Sequence, residues 1–129
     1  MTVNRYTFSK AERLCKKQDI DFLFSKGQSF IAYPLRVVYQ VIEEEKGVPV
    51  SILISVSKKR FKRAVHRNAV KRLVRESYRV RKYDLFEPLQ DKNKHLLVGF
   101  LYLDKEIVSF KDMEKSMTKA IRILSEKIQ

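Results

Sequence analysis

The run His95–Leu103 (HLLVGFLYL) is apolar at almost every position and has the length of one β-strand. Apolar character without polar alternation is typical of a strand that is buried within a sheet. Two further segments, Leu35–Ile42 and Val48–Ser57, are rich in β-branched residues and are also predicted as strands. Because only the polar turn Glu43–Gly47 separates them, we expect these two strands to form an antiparallel hairpin.

Two amphipathic segments near the ends of the chain are predicted as helices. Residues Lys16–Lys26 carry apolar side chains at helical spacing, and Gly27 follows as a plausible stop. Ser109–Ile128 carries a longer apolar face that is expected to pack on the core. Ser109 or Asp112 is the expected cap of this second helix.

The order of these elements indicates one α+β domain. A short strand is expected at Ser29–Tyr33, a basic helix at about 64–82, and an irregular connection at Tyr83–Asn93. The predicted order is α, two or three strands, then α, β, α, in a single domain of residues 1–129 with its core at about 10–128. This order is typical of helices packed on one mainly antiparallel sheet.

Composition narrows the possible functions. No apolar run is long enough for a membrane span, and the first residues lack a hydrophobic signal core. Cys15 is the only cysteine, so no internal disulfide can form and a cytoplasmic location is expected. His66 and His95 are interpreted as surface or packing residues. Since no metal-ligand spacing or nucleophile triad is visible, we expect no catalytic residue and no bound metal or cofactor in the polypeptide.

The positive charge of the chain is concentrated in one segment. The net charge is +13 at pH 7, and residues 58–82 account for +11 of it, with Glu76 as their only acid. Such a segment attracts polyanions, either nucleic acid or an acidic membrane surface. A nucleic-acid-binding surface is therefore expected here.

A helical wheel divides residues 67–82 into a polar face and an apolar face. Within an arc of about 140° lie the polar residues Arg67, Asn68, Lys71, Arg72, Arg75, Arg79 and Lys82. The opposite side, expected to face the core, holds Ala69, Val70, Leu73, Val74, Ser77 and Val80. Cations four residues apart repel by a few tenths of a kcal/mol, which a bound polyanion relieves, and arginine matches phosphate with two hydrogen bonds. A solvated charged face and a membrane-surface helix are the alternatives.

A second group of cations lies immediately before this helix. It consists of Lys58, Lys59, Arg60, Lys62 and Arg63. These side chains are expected near the helix N-terminus, where backbone N–H groups also favour phosphate. The alternative is a mobile basic loop.

Two linked motifs resemble the signature of the bacterial ribonuclease P protein subunit family. They are Ser55-Val56-Ser57-Lys58-Lys59 and Ala64-Val65-x-Arg67-Asn68-x-x-Lys71-Arg72-x-x-Arg75-Glu76. Asp21–Gly27 also resembles the family's first helix, and Val37-Val38-Tyr39 resembles its strand with a cleft aromatic. The resemblance implies an α-β-β-β-α-β-α sandwich like domain 2 of ribosomal protein S5, with a left-handed β-α-β crossover, although right-handed crossovers are the rule.

The resemblance also implies a function and its site residues. In ribonuclease P, an RNA subunit that requires Mg²⁺ cuts the 5′ leader from precursor tRNA, and one monomeric protein assists each RNA. Contacts to the catalytic RNA are implied for Lys58, Lys59, Arg60, Lys62, Arg63, Arg67, Asn68, Lys71, Arg72, Arg75 and Arg79. A cleft for the single-stranded leader is implied for Ile20, Phe24, Tyr39, Ser55 and Ser57. The alternative is that Phe24 and Tyr39 are ordinary core residues.

The chain departs from the family pattern at three places. Ala69 stands where the family commonly has Arg, and Ile20 stands where it commonly has an aromatic residue. Lys62 and Arg63 replace a frequent Gly-Asn pair, with one extra residue. The alternative functions are a ribosomal or other structural RNA-binding protein and a DNA-binding helix, although no helix-turn-helix partner precedes the basic helix.

Overall fold

The computed structural model describes residues 17–42, 49–86 and 94–128. The elements in chain order are α1 (Lys17–Lys26), β1 (Gln28–Ala32), β2 (Leu35–Ile42), β3 (Val50–Val56), α2 (Ala64–Arg81), α3 (Tyr83–Phe86), β4 (His95–Tyr102) and α4 (Phe110–Ile128). The predicted α+β class is confirmed. Some predicted features lie outside the described residues. They are Cys15, Lys16 at the start of the predicted first helix, the turn Glu43–Gly47 and residues 87–93.

The four strands form one sheet in the order β1-β2-β4-β3. β2 pairs antiparallel with β1 and β4, whereas β3 pairs parallel with β4. The predicted hairpin between β2 and β3 is therefore wrong, because β4 lies between them. β4 is the most completely buried strand: its two neighbouring strands satisfy its backbone, and the helices on the two faces of the sheet cover its apolar side chains. The hand of the β3-to-β4 crossover stays a prediction.

The alternation of side chains along the strands assigns each residue to one of two faces. One face packs against α2 and α4 and holds the larger core, which includes Val37, Val98 and Phe100. The other face packs against α1 through a small cluster of Leu23, Val38 and Leu97. The first surface is the core face, and the second is the α1 face.

Gly27 ends α1, as predicted, and lets the helix lie close to the sheet. Its N–H donates to the carbonyl oxygen of Leu23 at 2.8 Å, which closes the last helical turn. A Cβ atom at Gly27 would clash with that same oxygen and lie 3.0 Å from the Tyr39 carbonyl. A side chain here would therefore push α1 away from β2.

The second half of the chain follows the predicted pattern with one exception. Ser109 caps α4, since its Oγ accepts the Asp112 N–H at 3.1 Å. The exception is Tyr83–Phe86, expected to be irregular, which forms the short helix α3 with Leu85 fully buried. Within the described ranges, no helix combines the length and apolar character needed to cross a membrane.

Candidate nucleic-acid interface

The buried side of α2 differs from the helical-wheel prediction. Val70, Val74 and Ser77 face the core as expected, but Tyr78 is also fully buried, with its ring 6.0 Å from that of Phe100. On the wheel Tyr78 falls between two cations, Arg67 and Lys71, so the helical pattern did not indicate that it is buried. Relative to the wheel, the buried side of α2 is rotated toward Tyr78, and Lys82, which was predicted on the polar face, is also buried, at 1% exposure.

This rotation exposes a different part of α2 to solvent. Ala69, which was predicted to face the core, is exposed and lines a depression of about 300 Å³ with Val65, Asn68 and Arg72. Ala69, where the family commonly has Arg, therefore lies on the surface.

Four cations on the flank of α2 are only half-buried, namely Arg67, Lys71, Arg75 and Arg79. Part of each side chain packs against the protein and part is exposed to water. The Nε atom of Arg75 is buried and has no hydrogen-bond partner among the described residues. The exposed parts of these side chains give this flank of the helix a positive charge.

Arg67 and Arg79 have partners within the chain. Nη1 of Arg67 donates to the carbonyl oxygens of Phe61 at 2.8 Å and Lys62 at 3.0 Å, and so ties the preceding loop to α2. Nη2 of Arg79 lies 2.8 Å from Oε2 of Glu76, in a surface ion pair that partly neutralises it. These two residues are thus less available to an outside anion than the sequence indicated.

The basic loop, residues 57–63, is a turn held by hydrogen bonds. The Ser57 carbonyl accepts the N–H groups of Arg60 and Phe61, and Ser57 Oγ accepts the Lys59 N–H at 3.0 Å. The buried ring of Phe61 packs 5.9 Å from that of Tyr102 and anchors the turn. Its cations are exposed, namely Lys58, Lys59, Arg60, Lys62 and Arg63.

A further cation joins the basic loop from the connection between β4 and α4. Because β3 and β4 are parallel, the loops that follow them leave the same edge of the sheet. Lys105 therefore lines, with Arg60, Lys62 and Arg63, a depression of about 510 Å³, whose wall also includes the acidic Glu106. Sequence reasoning missed Lys105, since the parallel pairing was not predicted.

The α1 face brings together three of the residues predicted for a cleft. Ile20 packs against the small cluster, and Phe24 is 46% exposed. The Phe24 ring stands over Gly99, whose absent Cβ would lie 3.6 Å from Cζ. Ser55 is exposed, and its register opposite Leu101 places it on the same face. Ser57 lies beyond the strand, in the basic loop.

Tyr39 does not belong to this cleft, which corrects the prediction. It lies on the core face, only 7% exposed, with its ring 6.0 Å from that of Phe30. Its hydroxyl donates to Oε1 of Gln28 at 2.9 Å, and burial raises the pKa of this hydroxyl above the ordinary value. The neighbouring Val38 faces α1 instead, because adjacent residues of a strand point to opposite faces.

The two histidines lie where the sequence indicated. His66 is exposed, and His95 is fully buried with Nε2 2.9 Å from Ser51 Oγ. In the described part of the chain, no group of three or more His, Cys, Asp or Glu side chains is arranged to hold a metal ion.

Comparisons with known proteins agree on one family. A family model described as Ribonuclease P matches residues 8–125. The chain is 42% identical over 116 residues to the ribonuclease P protein component of Porphyromonas gingivalis, covering 90% of this chain and 85% of that relative. It is 35% identical over 121 residues to that of Chlorobium phaeobacteroides, covering 85% and 82%.

Solved structures show the same fold. The RNase P protein from Thermotoga maritima superimposes with a TM-score of 0.68 at 22% identity, covering 87% of this chain and 96% of that one. The Staphylococcus aureus RNase P protein gives a TM-score of 0.65 at 26% identity, covering 88% and 95%.

Proposed function

This chain belongs to the ribonuclease P protein family, and we propose that it assists removal of the 5′ leader from precursor tRNA through two separate surfaces. The chain is the accessory protein subunit of this endoribonuclease. The first surface, α2 with the basic loop, docks onto the catalytic RNA. The second, the α1 face of the sheet, holds the single-stranded leader.

The concentration of cations on α2 and the basic loop is the observation that carries the first assignment. Between residues 58 and 82 there is one acid, Glu76, and it pairs with Arg79. The phosphate contacts are assigned to Lys58, Lys59, Arg60, Lys62, Arg63, Lys71, Arg72 and Arg75. Asn68 is exposed beside Arg72 and offers an amide to a sugar or base edge. Arg67 mainly positions the basic loop, and Arg79 contributes less.

The exposed ring of Phe24 supports the second assignment. Single-stranded RNA presents unstacked bases, and stacking on an aromatic ring contributes about 1–3 kcal/mol per base. Phe24 offers such a ring on the α1 face, while Ile20 and Ser55 border it. Tyr39 is not part of this surface.

We assign catalysis to the RNA subunit and none to this polypeptide. The Mg²⁺ that the holoenzyme requires is assigned to the RNA as well, because the described residues offer no carboxylate or histidine cluster. We further propose that one protein monomer joins one RNA, in the cytoplasm.

Reconstitution tests the proposed function. At low Mg²⁺, adding the protein to its catalytic RNA should restore cleavage of precursor tRNA and tighten binding of precursor over mature tRNA. The assignment fails if the protein does neither while binding ribosomal RNA tightly. Cleavage by the protein without RNA would overturn the claim that it holds no catalytic residue.

A further inference from the structure

Helix α1 covers only part of its face of the sheet. It packs on β2 and β4. Under it, the strands contribute the buried Val38 and Leu97. One step along the strands, the next row runs Ile31, Arg36, Leu101, Ser55 across the four strands. Ile31, Arg36 and Ser55 in this row are exposed, so the row forms an open shelf beside the end of α1.

Arg36 is the feature of this shelf that calls for an explanation. It is the only lysine or arginine in the described strands, and it lies on β2, an interior strand. Within the described residues it makes no hydrogen bond and no ion pair. Its neighbours in this row, Ile31 and Leu101, are apolar, and Ile31 is 59% exposed. A solvated arginine is ordinary at the rim of a sheet, but less so in the middle of an open apolar row.

The position of Arg36 relates it to Phe24. Val38 pairs with Gly99, over which the Phe24 ring stands, and Arg36 is two residues before Val38 on the same face. Successive residues on one face of a strand are about 7 Å apart, which an arginine side chain spans. The side chain of Arg36, which has no partner among the described residues, is therefore within reach of the Phe24 ring. A ring and a guanidinium placed in this way match the base and the phosphate of one strand of RNA.

The shelf also leads to the basic loop. Ser55 is the last shelf residue on β3, and the basic loop begins two residues later, at Ser57. An RNA strand that passes Phe24 and Arg36 and continues across Leu101 and Ser55 reaches the cations of that loop without crossing an acidic side chain of the described sheet.

We propose that Arg36 anchors a backbone phosphate of the single-stranded leader on this shelf, next to the base that stacks on Phe24. This inference rests on the proposed function and names the leader phosphate as the ligand of a residue outside the predicted site. The contact is independent of base identity, so it lets the protein hold leaders of different sequence.

The test measures binding of precursor and mature tRNA to the reconstituted holoenzyme at several salt concentrations. Arg36→Gln should weaken precursor binding about 5-fold, leave mature tRNA unchanged and reduce the salt slope for precursor by about 0.7, the value for one single-strand phosphate. Arg36→Lys should restore most of the slope. Arg122→Gln is the matched control, because it removes an exposed cation on α4, and it should leave the binding of both RNAs unchanged.

A leader with abasic nucleotides separates phosphate from base contacts. The Arg36→Gln loss should persist with the abasic leader, whereas the Phe24→Ala loss should disappear. Equal losses for precursor and mature tRNA, or an unchanged salt slope, would overturn the role of Arg36. If Phe24→Ala impairs leader binding and Arg36→Gln does not, only this inference fails. If neither does, the assignment of the leader to the α1 face fails as well.

Discussion

Phe24 and Tyr39 lie on opposite faces of the sheet. The Phe24 ring stands over Gly99 on the α1 face, whereas the Tyr39 hydroxyl bonds Gln28 on the core face. Of the two aromatic side chains predicted to share a cleft, only Phe24 is available to RNA. The two residues therefore respond differently to substitution.

Replacing Phe24 should remove the proposed leader contact and little of the core. Phe24→Ala should weaken holoenzyme binding to leader-bearing tRNA by about 1–3 kcal/mol, the range for one stacked base. Binding of mature tRNA should stay constant, because that RNA has no leader. Titration of both RNAs measures this difference, and an equal loss for both would contradict a leader contact.

Replacing Tyr39 has the opposite result. Tyr39→Ala should lower the free energy of unfolding by about 3 kcal/mol, since it empties a buried aromatic site. Tyr39→Phe keeps the ring and loses the Gln28 hydrogen bond, so it should cost about 1 kcal/mol and leave leader discrimination intact. Urea denaturation gives these values. A stable Tyr39→Phe variant with lost discrimination would return Tyr39 to the leader site.

Arg67 should matter through the loop that it holds. Arg67→Gln breaks the bonds to the Phe61 and Lys62 carbonyls, so trypsin should cut the basic loop faster than in the parent protein. Arg72→Gln is the matched control, because Arg72 is exposed on α2 and holds no loop. Equal cleavage rates in Arg67→Gln and the parent would show that these bonds do not order the loop.

The two glycines near α1 should differ in their tolerance of a side chain. Gly27→Ala places a methyl group against the Leu23 carbonyl and should destabilise the protein by about 1–3 kcal/mol. Gly99→Ala meets Leu23 and Phe24 only at ordinary contact distances and should change stability little. Thermal unfolding compares the two variants, and a tolerated Gly27→Ala would contradict the close packing of α1.

Local patterns predicted most elements, whereas pairing and side-chain direction were harder to predict. Gly27, Ser109 and the apolar face of α4 act through near neighbours in the chain, so their roles were visible in the sequence. The position of β4 between β2 and β3 depends on long-range pairing. The position of Lys105 beside the basic loop depends on the same pairing. Tyr39 was misplaced because a shift of one residue reverses the face of a strand. Tyr78 was missed because its neighbours on the wheel are cations.

We propose that catalytic RNA and leader bind different surfaces of this protein. The most direct test measures two quantities for each of two variants, Arg72→Gln and Phe24→Ala. These are protein affinity for the catalytic RNA alone and the ratio of precursor to mature tRNA affinity in the holoenzyme. Arg72→Gln should lower the first quantity only, and Phe24→Ala the second only. If each variant lowers both quantities to the same extent, catalytic RNA and leader do not bind separate surfaces of the protein.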